Sequence, residues 1–122
     1  MTVSEGYLDS TKANLQGIIE KTLQHSPRAR IVIAGMMVPP NLGPIYTERF
    51  KKLFEELAEE NRVGLIPFLL EKVAGRRELN LADGIHPNAQ GHRLVAETVW
   101  EILEPILRSP AKPIEQKPQR PK

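Results

Sequence analysis

Asp83 and His86 stand three residues apart in the stretch Ala82-Asp83-Gly84-Ile85-His86-Pro87-Asn88. A carboxylate that close can accept a hydrogen bond from one ring nitrogen of the His. The other nitrogen is then left as a base toward a third group. The pair is two thirds of a nucleophilic triad, and it asks where a nucleophile lies. On its own the stretch also reads as an ordinary polar turn ahead of a helix, since Asn88 after Pro87 is a favourable N-cap. A metal reading has less support. His86 and His92 straddle a helix start at a spacing that does not share one helix face, and His25 is far away in sequence. There is no Cys, so neither a thiolate nucleophile nor a Cys-based zinc site is available. No metal and no organic cofactor is expected.

The elements that must position the pair follow from hydrophobic spacing. Asp9 or Ser10 caps a first helix with an apolar stripe at Leu15, Ile18, Ile19, Thr22 and Leu23, ended by Ser26-Pro27. Ile31-Val32-Ile33-Ala34 is continuous and largely β-branched, as in a parallel strand covered on both faces. Pro39 to Pro44 is a stiff loop after that strand, where the ligand crevice of an open α/β sheet lies. A second helix starts near Ile45 or Tyr46 and runs to about Asn61, burying Phe50, Leu53, Phe54, Leu57 and Ala58.

Val63 to Phe68 is a second strand, with Pro67 at its end or on an edge. Leu69 to Ala74 suits a short helix closed by Gly75. The last helix, from Asn88, carries a wide apolar arc through Leu107, which predicts deep burial. Trp100 is expected in its core, and Pro105 is expected to kink or end it. The order is α/β with parallel strands. Two strands are few, and they leave sheet edges open.

Length and charge bound the rest. The 122 residues suffice for one small domain. Residues 108–122 hold five basic side chains against Glu115 alone, a net +4 out of +2 for the whole chain, so residues 1–107 carry −2. A mildly acidic body gives no electrostatic support for nucleic-acid binding. Residues 109–122, with Pro110, Pro113, Pro118 and Pro121 among charges, predict a disordered Pro/Lys-rich tail. Met1 to Ser10 carries Glu5 and Asp9 and no apolar block, so it does not read as a signal peptide. No apolar run is long enough to span a membrane. A soluble protein is expected, of unassigned compartment.

Asp83-Gly84-Ile85-His86-Pro87-Asn88 ahead of an amphipathic helix resembles the last conserved block of the SGNH (GDSL) hydrolases, in particular their arylesterase, acyl-thioesterase I and lysophospholipase L1 group. Ala34-Gly35-Met36 through Pro39-Pro40-Asn41-Leu42-Gly43-Pro44-Ile45-Tyr46 is similar to that group's loop after its fourth strand. Leu65-Ile66-Pro67-Phe68-Leu69-Leu70-Glu71 is similar to its fifth strand and following turn. Asn80-Leu81-Ala82 matches its approach to the catalytic block. The likeness covers roughly residues 10 to 107.

The resemblance implies the C-terminal part of a three-layer α/β/α flavodoxin-like fold over residues 1–108. It further implies an ester hydrolase working through an acyl-serine on a small acyl ester or thioester. Asp83 would orient His86, and His86 would be the general base and then the acid. Pro40, Asn41, Leu42, Tyr46 and Ile85 would contact substrate. Members of the family are often exported.

The family's Ser sits in a Gly-Asp-Ser-Leu block, and its Gly and Asn help build the oxyanion hole. The sequence contains neither that block nor a Gly-x-Asn-Asp. Its serines are Ser4, Ser10, Ser26 and Ser109, and none follows a strand after a Gly-Asp. The expectation is therefore a C-terminal half, with no serine-dependent activity alone. The alternative is an inactive fragment that self-associates or pairs with an N-terminal half.

Overall fold

The β-branched run at Val32 and the apolar run at Gly64 form the two strands of a computed structural model that describes residues 3–38 and 43–109. In chain order the elements are helix α1 (Val3–His25), strand β1 (Val32–Ala34), helix α2 (Pro44–Asn61), strand β2 (Gly64–Ile66), a 3-10 turn (Arg77–Leu79) and helix α3 (Ala89–Arg108). The strands pair in parallel, with Val32 opposite Gly64, Ile33 opposite Leu65 and Ala34 opposite Ile66. Residues 39–42, and so Pro40, Asn41 and Leu42, lie outside the described residues, as does the tail from Pro110.

Alternation along the strands sorts the helices into layers. Ile33 and Leu65 point to the face covered by α1 and α2, where they meet Leu8, Ile19, Leu53, Phe54, Leu57 and Ala58. Gly64 points to the other face, where Ile106 of α3 lies against it. Helices thus cover both faces of a parallel pair, which is why the strands carry apolar residues without alternation. Leu57 is fully buried, so truncation to Ala is expected to cost about 2–5 kcal/mol. A reciprocal amide pair joins α1 to α2: Gln16 Nε2 donates to Asn61 Oδ1 at 3.0 Å and Asn61 Nδ2 to Gln16 Oε1 at 2.7 Å.

The second helix matches its predicted stripe and its end at Asn61. Pro44 opens it, where a missing N–H costs nothing. Arg62 closes it in the left-handed region (φ 56°). Pro67 falls just past β2, as its chemistry requires.

Four expectations are corrected. The first helix begins at Val3, not at Asp9 or Ser10, because Leu8 extends the stripe by one more turn pair and is buried. In the same stripe Ile18 is exposed. Leu69 to Ala74 forms successive turns rather than a helix. Leu69 N–H is spent on Gly35 C=O at 3.0 Å, and the α-type bond from Ala74 to Leu70 stands alone, too little to nucleate a helix.

The fourth correction concerns α3, which runs on through Pro105 to Arg108. Its burial is shallow: of its residues only Gly91 and Thr98 are buried, and Trp100 is 49% exposed rather than core. A sheet of two three-residue strands is too narrow to cover a wide apolar arc.

Candidate active site

α3 runs back over the sheet from Ile106, which lies at the start of β2, so its amino end points beyond the strands' carboxyl ends. The Asp83–His86 turn is attached there. Three contacts fix it. Asn80 and Pro87 form an isolated antiparallel bridge, with Leu81 N–H donating to His86 C=O at 2.7 Å and Asn88 N–H to Leu79 C=O at 2.9 Å. The Asn88 side chain caps α3 by accepting from Gly91 N–H at 2.8 Å, and its Nδ2 donates to Glu78 C=O at 2.9 Å. Asn80 Nδ2 donates to the carbonyls of Arg76 (2.7 Å) and Val73 (3.0 Å), tying the preceding loop down.

Within the turn, Asp83 is saturated with donors. Its Oδ1 accepts from the N–H of Ile85 (2.8 Å) and of His86 (3.0 Å), an Asx-type turn that Gly84 completes at φ 72°. Its Oδ2 lies 2.6 Å from His86 Nδ1. The hydrogen bond from the His86 side chain, followed by the two backbone N–H groups, lowers the Asp83 carboxyl to about 2. A carboxylate can only accept, so Nδ1 carries the proton and Nε2 of the neutral ring keeps its lone pair. No hydrogen bond to Nε2 is made among the described residues, and the His86 side chain is 70% exposed. The arrangement is an oriented, accessible base.

The other residues named from the sequence fall differently. Ile85 projects beside the pair and is exposed. Tyr46 is half-buried on α2, its ring 6.5 Å from that of Phe50 and packed against the core cluster. Sequence reading identified Asn88 as a cap. It did not identify the carboxamide of Asn80 or the need for Gly91, whose place in the first turn of α3 was the available signal. No three His, Asp or Glu side chains gather as a metal-binding group among the described residues. A groove of about 390 Å³ lies elsewhere, at the amino ends of the strands, lined by Arg30, Ile31, Arg62, Gly64, Pro105, Ile106 and Ser109. It holds no carboxylate or imidazole. It is the seam where Arg30 Nη1 donates to the carbonyls of Ile106 and Ser109.

The family model of the GDSL-like lipase/acylhydrolase family matches residues 3–94. The chain belongs to this family. Esterase TesA of Pseudomonas aeruginosa is 35% identical over 94 residues, 77% of this chain and 46% of that protein. The arylesterase of Vibrio mimicus is 38% identical over 75 residues, 62% of this chain and 38% of the relative. The chain thus spans about half the length of the curated relatives it matches or less. The crystal structure of TesA superposes with a TM-score of 0.66 at 34% identity, covering 78% of this chain and 54% of that one. The esterase AlinE4, titled an SGNH-hydrolase family esterase, gives 0.58 at 35% identity over 85% of this chain and 53% of its own. Esterase EstA from Pseudoalteromonas sp., at 24% identity, supports the fold with a TM-score of 0.74, covering 84% and 55% of the two chains. The α/β arrangement with parallel strands is part of the fold of this GDSL-like family. No helix among the described residues is long and apolar enough to cross a membrane.

Proposed function

We propose that Asp83 and His86 are the acid–base half of an acyl-serine ester hydrolase whose serine and oxyanion donors come from a segment other than these 122 residues. The observation that carries this is the 2.6 Å contact from Asp83 Oδ2 to His86 Nδ1, which leaves Nε2 lone-paired and open. In this reading Nε2 takes the proton of a serine hydroxyl as its oxygen attacks the acyl carbonyl carbon. The imidazolium, steadied by Asp83, then gives that proton to the leaving alcohol or thiol as the acyl–oxygen or acyl–sulfur bond breaks. Water repeats the sequence and releases the acid. Relatives named esterase, arylesterase and thioesterase support a small acyl ester or thioester as substrate. Ile85, beside the base, contacts the acyl or leaving group, and Tyr46, Pro40, Asn41 and Leu42 are the further substrate contacts that the family resemblance implies.

A second reading is favoured by the lack of a Gly-Asp-Ser block: a non-catalytic chain that self-associates or pairs with a partner. The test is hydrolysis of p-nitrophenyl acetate. The purified chain alone is expected to show no turnover above that of free imidazole. Co-expression with the amino-terminal half of P. aeruginosa TesA is expected to give turnover that His86→Ala abolishes. Turnover by the pair that survives His86→Ala would sink the assignment, and no turnover by any pair would favour the second reading.

A further inference from the structure

Helix α3 carries two stripes, and the rest of the chain takes one of them. Gly91 and Thr98 are buried and Ile106 lies against Gly64, so that line of the helix faces β2 and the 3-10 turn, the elements on which α3 packs. The other stripe faces away. It runs through Ala89, Arg93, Ala96, Trp100, Leu103 and Leu107, in alternating steps of four and three residues. All of these but Leu103 are exposed, Trp100 by 49% and Leu107 by 55%. Alternating steps of four and three are the spacing of a seam that meets a second helix.

The order of sizes along the seam says which helix fits. Small Ala89 and Ala96 stand in its first half, and large Trp100, Leu103 and Leu107 in its second. Such a stripe is complementary to itself run backwards. With a second copy set antiparallel about a two-fold axis level with Thr98, Trp100 lies over the partner's Ala96 and Leu107 over the partner's Ala89. Bulky side chains enter the places that methyl groups leave, and each contact occurs twice, as a two-fold interface requires. Leu103 falls on the aliphatic stem of the partner's Arg93.

Charge follows the same register. Glu104 borders the seam and is held by Arg108 Nε at 2.8 Å, while Arg93 makes no ion pair among the described residues. Glu104 comes beside the partner's Arg93, again twice. A parallel pair would instead set Trp100 against the partner's Trp100 and Arg93 against the partner's Arg93, like charge on like.

We infer that the exposed face of α3 is the interface of a homodimer, in which the two α3 helices lie antiparallel with Trp100 on the partner's Ala96 and Arg93 paired with the partner's Glu104. The inference rests on the self-association in the second reading above and gives it a surface; the acid–base reading of Asp83 and His86 is not used. α3 has 20 residues and is about 30 Å long. The contact is small, so the dimer is expected to dissociate in the range of about 10–100 μM.

The test uses the full 122-residue chain. Sedimentation equilibrium from about 1 μM to about 1 mM is expected to show a passage from monomer to dimer. Trp100 is the only tryptophan, so the emission of the chain is expected to move to the blue over the same range. Ala96→Glu, at an exposed position, is expected to hold the chain monomeric and its emission unshifted. Arg93→Glu and Glu104→Arg are each expected to weaken the dimer about tenfold, and the two together to return it to within about threefold of the unsubstituted chain. A chain that stays monomeric throughout overturns the proposal and the self-association reading with it. A dimer that survives Ala96→Glu, forms with no change at Trp100, or is not restored by the double exchange overturns the α3 interface and leaves self-association standing. Emission that shifts only when the amino-terminal half of P. aeruginosa TesA is added assigns the face to that half. Emission already blue in the monomer, and reddened by removal of residues 110–122, assigns it to the chain's own tail. Either result overturns the proposal. Should Ala96→Glu not fold by circular dichroism, the charge exchange decides.

Discussion

Gly91 sits so close to the carbonyl oxygen of Leu79 that a Cβ at that position would lie well inside contact distance. The first turn of α3 and the segment that pairs with Pro87 are therefore pressed backbone to backbone. Gly91→Ala is expected to destabilise the chain by about 1–3 kcal/mol through overpacking, because the obstacle is main chain and cannot rotate away. Urea denaturation checks this. An unchanged midpoint would mean that α3 can slide freely.

Asn88 joins two tasks in one side chain, the cap on Gly91 N–H and the tie to Glu78 C=O. Asn88→Ala is expected to lose about 1–2 kcal/mol. Asn88→Asp keeps an oxygen for the cap and loses the donor, so it is expected to fall between the two. Thermal unfolding of the three chains gives the order.

Asp83 supplies a pH signature. Its folded value is depressed to about 2 from an ordinary 3.8, so the unfolded chain takes up the proton first as pH falls. The turn's contribution is fully present above about pH 4 and is lost as pH drops through about 2. The carboxyl carbon of Asp83, followed by NMR, is expected to titrate near 2. A midpoint close to 4 would show that its three donors are not held in solution.

Arg30 reaches the other end of α3, where its guanidinium donates to the carbonyls of Ile106 and Ser109. A cation at a helix carboxyl terminus satisfies orphan carbonyls and opposes the dipole. Arg30→Ala is expected to cost about 1 kcal/mol and to speed amide exchange in the last turn of α3 while leaving the Asp83 turn untouched. Equal acceleration at both ends of the helix would contradict a local effect.

Local chemistry was the part legible in the sequence. The Asp83–His86 pair, the Asn88 cap, the α2 stripe and the placement of Pro67 each depend on neighbours within a few residues, and the structure brings each about. Misreadings arose where the answer depends on how much sheet is available. Trp100 and the wide arc of α3 carry the pattern of a buried helix, yet two short strands cannot bury it. Leu69 to Ala74 has helix-forming residues, but Leu69 N–H is drawn to Gly35, a partner 34 positions away that no local window contains. The need for Gly91 was not read from the sequence, since its reason is the carbonyl of Leu79 across a turn.

The pairing of Val32 with Gly64 spans the whole of α2, and it sets an order of assembly. Every hydrogen bond between the strands closes a long loop, whereas α1, α2 and the turn at Arg62 can form from nearby residues. The individual helices are expected to lead and the sheet to follow. Leu57→Ala would then slow refolding, while Ile33→Ala would chiefly hasten unfolding. Until the sheet closes, a growing chain carries both strands unpaired, and the interval ends only after Ile66 has been made.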